Sequence, residues 1–401
     1  MRRTLGNSIL SLIEASNGTH HVRSRRKGGK VKFIFQGLLA LTLTIIVLFL
    51  FNFGCTMDNS QKASKKQGGY GASVISYFNN RILYVYRWGT IMKGDYTVLV
   101  DYDYSTNKYH ILSKSEAFYE SPTYSKDGKK ITYALIKDGN SNIYIMDADG
   151  GNVEQLTNDY SDDAKVVDTP TGNVKKIKFN TKPSFSPDGK KIIFQRASMR
   201  RKHVTSGRNM LTSWDVCELD IKTKAVKKLT DYQFYEMSRP FYLSDSKRFI
   251  FSATGPIIDD KDFNENYRKQ YQYNHIFIMD GVNNELKPAF LHGIWTSEPF
   301  VAKDDTILFL SITNEMDGLP PKPENYDLFL KKGGTIKRIT KDQGYRFIMY
   351  PSISFDGKRI FFKGARHIDI DKDNTISSYI INSDGAGLTK IVLPQIENTE
   401  P

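Results

Sequence analysis

The chain has 401 residues, with 57 Lys and Arg against 44 Asp and Glu, a formal net charge of +13 and only two cysteines. So few cysteines exclude a disulfide-stapled scaffold, and the length is ample for a conventional core. The basic excess is concentrated at one end. Residues 1–32 hold eight Lys or Arg against the single acid Glu14, and the repeat region keeps only about +4, which argues against nucleic acid as a partner.

In chain order, the basic flank 1–32 precedes 25 residues, 33–57, without a charged side chain. That exceeds the ~20 apolar residues needed to cross a bilayer as a helix. Residues 33–55 therefore read as a signal or anchor segment, with the flank in the cytoplasm and the rest exported. Gly54-Cys55 at its end resembles the bacterial lipoprotein box, which makes Cys55 a candidate for cleavage and lipidation. Asn52 stands where a Leu is usual, and an uncut segment would serve as a single-pass anchor. Translation starting near Val31 would leave a compact basic start, with the preceding residues outside the protein. Residues 56–70, rich in Ser, Lys, Gln and Gly, read as a flexible tether.

From residue 71 to 394 one pattern recurs. Its clearest copy is Pro183-Ser184-Phe185-Ser186-Pro187-Asp188-Gly189-Lys190-Lys191-Ile192-Ile193-Phe194, with relatives at 122–133 and 351–362 and degenerate copies at 240–251, 299–309 and 76–86. Pro suits the second position of a type I turn and Gly the left-handed position that closes a bulged hairpin. Alternating β-branched and aromatic residues on both sides predict strands. A second strand pair follows, as in Asn142–Asp147 turning through Asp149-Gly150-Gly151 into Val153–Thr157. Four strands per unit and six units predict an all-β, six-bladed propeller, with 395–401 as a tail. Cys217 falls in a predicted strand, where a buried thiol is expected. Trp214-Asp215 occurs once and at a strand start, so it does not mark WD repeats.

These repeats resemble the TolB-like β-propellers of bacterial envelopes, which carry the same Pro-x-Phe-Ser-Pro-Asp-Gly-Lys-x-Ile-x-Phe followed by Ile-Tyr-x-Met-Asp-x-Asp-Gly-Gly and Leu-Thr. Residues 121–159 carry the closest match. The resemblance implies a propeller fold and a periplasmic or extracellular setting. Residues 56–70 leave no room for the small α/β domain that TolB carries ahead of its propeller. No G-x-S-x-G elbow supports a serine peptidase of the prolyl oligopeptidase type.

Tight Asp-Gly turns fall on one face of such a disc and the variable loops on the other: 87–94, 137–141, 196–213, 254–274, 313–325 and 364–377. That asymmetry nominates the variable face and its central funnel for binding. Asp369, Asp371, Asp373 and Thr375 have the alternation of a calcium loop, although Ile380 stands where an EF-hand needs a bidentate Glu. The same stretch also reads as a solvated acidic turn, and calcium is the one cofactor suggested. Arg200, Arg201 and His203 form a basic loop suited to a carboxylate, phosphate or anionic glycan. Tyr271 and Tyr273 offer rings for a sugar or peptide. His275 and His367, with His203, are the residues a funnel metal would use, yet no metal-binding spacing links them and no catalytic residue is assigned. The sequence reading is thus a membrane-tethered, exported propeller acting as a scaffold for an envelope protein or glycan. The alternative is a metal-dependent lyase or hydrolase acting on polysaccharide.

Overall fold

The repeated turn is a closed hydrogen-bond circuit. Ser186 Oγ donates to Asp188 Oδ1 at 2.6 Å and accepts from Lys191 N at 2.9 Å, while Lys190 N donates to Asp188 Oδ1 at 3.1 Å. Gly189 N closes the turn on Ser186 O at 3.0 Å. The copies built on Ser125 and Ser354 repeat the circuit bond for bond. Gly128, Gly189 and Gly357 sit at φ of +70° to +73°, a region that L side chains enter only at a cost. Ser246 and Asp305 hold the equivalent place at 55° and 60°.

The computed structural model describes residues 70–88, 96–160, 166–169, 172–202, 209–256, 274–290, 295–312, 326–341, 343–365 and 376–396. The first four-stranded sheet is β1 (Tyr70–Phe78), β2 (Arg81–Trp88), β3 (Tyr96–Asp103) and β4 (Lys108–Ser115). The second is β5 (Phe118–Tyr124), β6 (Lys130–Lys137), β7 (Asn140–Asp147) and β8 (Glu154–Gln155). A ten-stranded sheet follows. It contains β9 (Val166–Thr169), β10 (Gly172–Phe185), β11 (Lys191–Lys202), β12 (Asn209–Asp220), β13 (Val226–Lys228), β14 (Phe234–Met237), β15 (Phe241–Tyr242), β16 (Arg248–Pro256), β17 (Asn274–Asp280) and β18 (Glu285–Pro288). Two more four-stranded sheets complete the described chain: β19 (Thr296–Val301), β20 (Ile307–Ile312), β21 (Tyr326–Lys332) and β22 (Thr335–Arg338), then β23 (Phe347–Ile353), β24 (Arg359–Ala365), β25 (Ser377–Asn382) and β26 (Thr389–Ile391). Every pairing is antiparallel, so the all-β propeller expectation holds.

The first strands touch in a cycle: β1 meets β5, β5 meets β10, β10 meets β15, β15 meets β19, β19 meets β23, and β23 returns to β1. The core lies between successive sheets. Leu83, Val85 and Leu99 of the first pack against Tyr124, Tyr133 and Met146 of the second. Phe361, Ile380 and Ile396 close onto Ile82, Tyr84 and Val100. Ile396, placed in the tail by sequence, is thus a core residue. Each fully buried large side chain stabilises the fold by about 1.5–3 kcal/mol.

The Leu-Thr end of each repeat also has a physical role. Thr157, Thr230 and Thr340 accept the amide of Ile143, Val216 and Leu328 at 2.9–3.0 Å and donate to Asn142, Asp215 and Asp327. A short last strand is thereby locked to its neighbour. Cys217 is buried, and burial pushes its thiol up to about 11. No helix among the described residues is long and apolar enough to cross a membrane, and the apolar run 33–57 lies outside them.

One local difference from the sequence reading stands out. Much of 196–213, expected as a loop, is strand: β11 runs to Lys202 and β12 begins at Asn209, while β9 pairs with the start of β10. Alternation through Gln195, Ala197 and Met199 continues the pleat past the point where the other repeats turn.

Candidate functional site

Four first strands break their ladders where the repeat places a Pro. Register shifts fall between Glu120 and Thr123, Thr181 and Ser184, Ser297 and Phe300, and Met349 and Ser352. In the ten-stranded sheet the same point separates β14 from β15. The residue before Pro has positive φ in four copies: Ser121 (52°), Lys182 (52°), Glu298 (50°) and Tyr350 (50°). A residue before Pro normally stays extended, so these are built bulges that re-aim side chains toward the axis. Hydroxyls brace them from one repeat to the next, Thr123 Oγ1 donating to Pro183 O at 3.1 Å and Ser184 Oγ to Pro240 O at 2.6 Å.

The bulges gather charges of both signs. Glu120, Lys182, Glu236, Arg239 and Glu298 come from four repeats and lie within electrostatic reach of one another. Desolvation raises the Glu120 carboxyl above its ordinary value, against the pull of Lys182 and Arg239. Desolvation also raises Glu236, opposed by Lys182. Arg239 is brought down to about 10 by burial, opposed by Glu298 and Glu120. Its Nη1 donates to Thr123 Oγ1 at 2.9 Å, and Lys182 Nζ lies 3.5 Å from Met237 O. Glu120 keeps some exposure as a residue, yet its Oε2 is sealed from solvent and accepts no hydrogen bond. A sealed, unsatisfied carboxylate oxygen costs folding energy and is chemically suited to an incoming N–H or ammonium group.

The axis is filled at the turn face. The Phe355 ring has Lys126 Nζ at 5.7 Å and Lys303 Nζ at 6.0 Å from its centroid, and Phe78 stacks on it at 6.5 Å.

The residues singled out by sequence are placed differently. Arg200 Nη2 donates to Gly139 O at 2.7 Å, reaching the hairpin of the preceding sheet. Arg201 lies in β11, paired with Val174 and Met210. His275 is 4% exposed within β17, at an interior position opposite Ala253. The next amide, Ile276 N, donates to Thr296 Oγ1 at 3.0 Å, the arrangement seen after Asn142, Asp215 and Asp327. Cys55, His203, Tyr271, Tyr273, His367, Asp369, Asp371, Asp373 and Thr375 lie outside the described residues. Among the described residues no group of three or more His, Cys, Asp or Glu is arranged to hold a metal.

The axial charges were missed by reading loops alone. A signal was present: three of the bulge residues, Lys182, Arg239 and Glu298, directly precede the Pro that opens each repeat copy. At the rim, Asp159, just after β8, accepts Arg196 Nη2 at 2.8 Å, Asn180 Nδ2 at 3.0 Å and Lys178 Nζ at 3.3 Å, tying the end of the second repeat to β10 and β11.

Over 170 residues the chain is 27% identical to the Tol-Pal system protein TolB of Francisella tularensis subsp. holarctica (strain OSU18), covering 42% of this chain and 32% of that protein. The TolB of Francisella tularensis subsp. mediasiatica is 28% identical over 133 residues, 33% of this chain and 24% of that one. The chain thus spans a third or less of the length of these relatives. No protein-family profile matches it. Among solved structures, TolB from Acinetobacter baumannii superposes with a TM-score of 0.52 at 20% identity, over 77% of this chain and 62% of that one. The tricorn protease gives 0.51 at 15% identity, over 82% of this chain and 27% of that one. At such identities the superpositions speak for the fold alone, and that fold is a TolB-like β-propeller.

Proposed function

We propose that the protein is a membrane-tethered, exported TolB-like propeller of six blades that works as a protein-binding scaffold at the bacterial cell envelope. Six blades follow if the ten-stranded sheet is two blades joined through the single pair Trp214↔Phe234 between β12 and β14. The apolar run 33–57 with Cys55, as anchor or lipidation site, supports the tether. The names of the curated relatives support an envelope setting with a protein partner.

The observation that carries the reading is the charged cluster built on the bulges, with Glu120 Oε2 unsatisfied. Ionisable groups kept at a cost on a strained frame point to binding. A partner segment entering from the variable face would place an ammonium or N–H group against Glu120 and a carboxylate against Lys182 or Arg239. Site-specific photo-crosslinking in intact cells tests this. A benzophenone at Tyr350 should yield one discrete protein adduct, and one at Lys222 on the turn face should not. Adducts from Lys222 alone would reverse the assignment of faces and sink the proposal.

Calcium at Asp369, Asp371, Asp373 and Thr375 is a separate proposal, tested by calorimetric titration with Asp371→Ala. The metal-enzyme alternative draws no support from His275, which occupies an interior strand position.

A further inference from the structure

The ten-stranded sheet has an end that no other repeat shares. Strand β10 is 14 residues long and β11 and β12 are 12 each, against 7 for β5 and 8 for β6 and β7. The β11–β12 hairpin extends about four residues further, roughly 13 Å at strand rise, and β9 is added along the start of β10. All of this lies on the variable-loop face, where β10 begins and β11 ends.

The charge of this end is mainly basic, with Asp168 of β9, opposite Asn173, as an acid beside it. Neither 172–187 nor 189–214 contains an Asp or Glu, while the extension carries Lys175, Lys176, Lys178, Arg200, Arg201 and Lys202. Lys178 is neutralised by Asp159. Lys176 is exposed. Lys175 is also paired directly across the ladder with Arg200. Like charges facing each other across antiparallel strands destabilise the pair unless an anion screens them.

The tether arrives on the same side. Tyr70 pairs with Arg87, next to the last residue of β2, so the chain enters the propeller on the variable-loop face. A 14-residue tether, 56–69, spans at most about 50 Å.

We infer that the extended basic end of β10–β12 docks edgewise on an anionic lipid surface, holding the propeller by this edge and leaving the mouth of the axis on the variable-loop face open to a partner. This rests on the tether reading above, which fixes a bilayer within reach of that edge. Each cation near an anionic bilayer shifts partitioning by about fivefold, so Lys175, Lys176 and Arg200 together suffice to orient an already tethered domain.

The test uses the full chain in nanodiscs and follows backbone amide exchange over 172–202. In discs rich in phosphatidylglycerol, exchange should slow by about tenfold or more relative to phosphatidylcholine discs. The slowing should vanish at high salt and in the double variant Lys175→Glu/Lys176→Glu, whose β23–β26 amides report that it remains folded. Equal exchange in the two lipids overturns the inference. So does equal slowing by soluble polyphosphate without anionic lipid, which assigns the site to a free anion. If a salt wash strips the chain from the discs, the tether reading fails by itself. Flotation with phosphatidylglycerol vesicles then decides the docking: binding lost in the double variant supports it, and no binding overturns it.

Discussion

Replacing Glu120 by Gln removes the charge from the most costly group on the axis while keeping its shape. Its Oε2 is sealed and unpaired, and desolvation outweighs Lys182 and Arg239 in setting its proton affinity. An unsatisfied buried charged group costs about 1–3 kcal/mol or more, so Glu120→Gln should stabilise the propeller by about 1–2 kcal/mol at pH 8. For a domain of this size that is about 2 °C in Tm for each kcal/mol.

The pH dependence identifies the cause. A carboxyl whose folded pKa is raised binds its proton more tightly in the fold than in the unfolded chain. The wild type is free of the penalty below the ordinary value of 4.5 and bears it increasingly as pH rises through the folded value. The gap between variant and wild type should close near pH 4 and open toward pH 8. Urea titrations at the two pH values measure it, and crosslink yield from Tyr350 measures partner binding in parallel. The expected outcome is more stability and less binding, as for a site whose charge is retained for a ligand. A variant less stable than wild type at pH 8, or a gap that ignores pH, would refute the argument.

Gly128 and Gly189 occupy the same turn position at φ +70°, but a Cβ on Gly128 would run into the Phe78 ring, whereas Gly189 has nothing within 4 Å. Gly128→Ala should therefore cost about 1–3 kcal/mol more than Gly189→Ala in chemical denaturation, and equal costs would mean that Phe78 yields freely. Thr340→Val strands Leu328 N and one oxygen of Asp327, bonded at 3.0 and 2.5 Å, and should cost about 2 kcal/mol. Ile396→Ala should cost about 2–4 kcal/mol and speed amide exchange in the first and last sheets before the others. Uniform acceleration would deny Ile396 a closing role.

The turns and strands were legible because a few residues determine them locally. Ser186, Asp188 and Gly189 complete their circuit within six residues, so the motif predicts its own geometry. The axial site was less legible because its members meet only when the ring closes: Glu120 and Arg239 are distant in sequence, and each sits in an ordinary-looking strand. The pre-proline position was a usable sign, yet variation among Ser121, Lys182, Glu298 and Tyr350 hides it from a search for repeated identity. His275 misled for a related reason. It lies at a loop boundary in sequence, but the position is one that Asn142, Asp215 and Asp327 fill in other repeats, where a Thr hydroxyl takes the following amide.

Closure of the ring depends on side chains. β1–β4 are consecutive, as are β23–β26, so among the described strands no β-strand from one end completes the sheet at the other. The seam is held instead by Phe361, Ile380 and Ile396 against Ile82 and Tyr84, by Tyr84 Oη donating to Pro394 O at 3.1 Å, and by Arg359 bonded to Tyr104. A seam with neither strand hydrogen bonds nor a chain connection across it is the natural place for a propeller to open. The chain enters at that same seam through β1, so tension from a tether would act directly on the contact that closes the ring. Leu393, Pro394 and Ile396, packed and bonded around Tyr84, act as the latch on that seam.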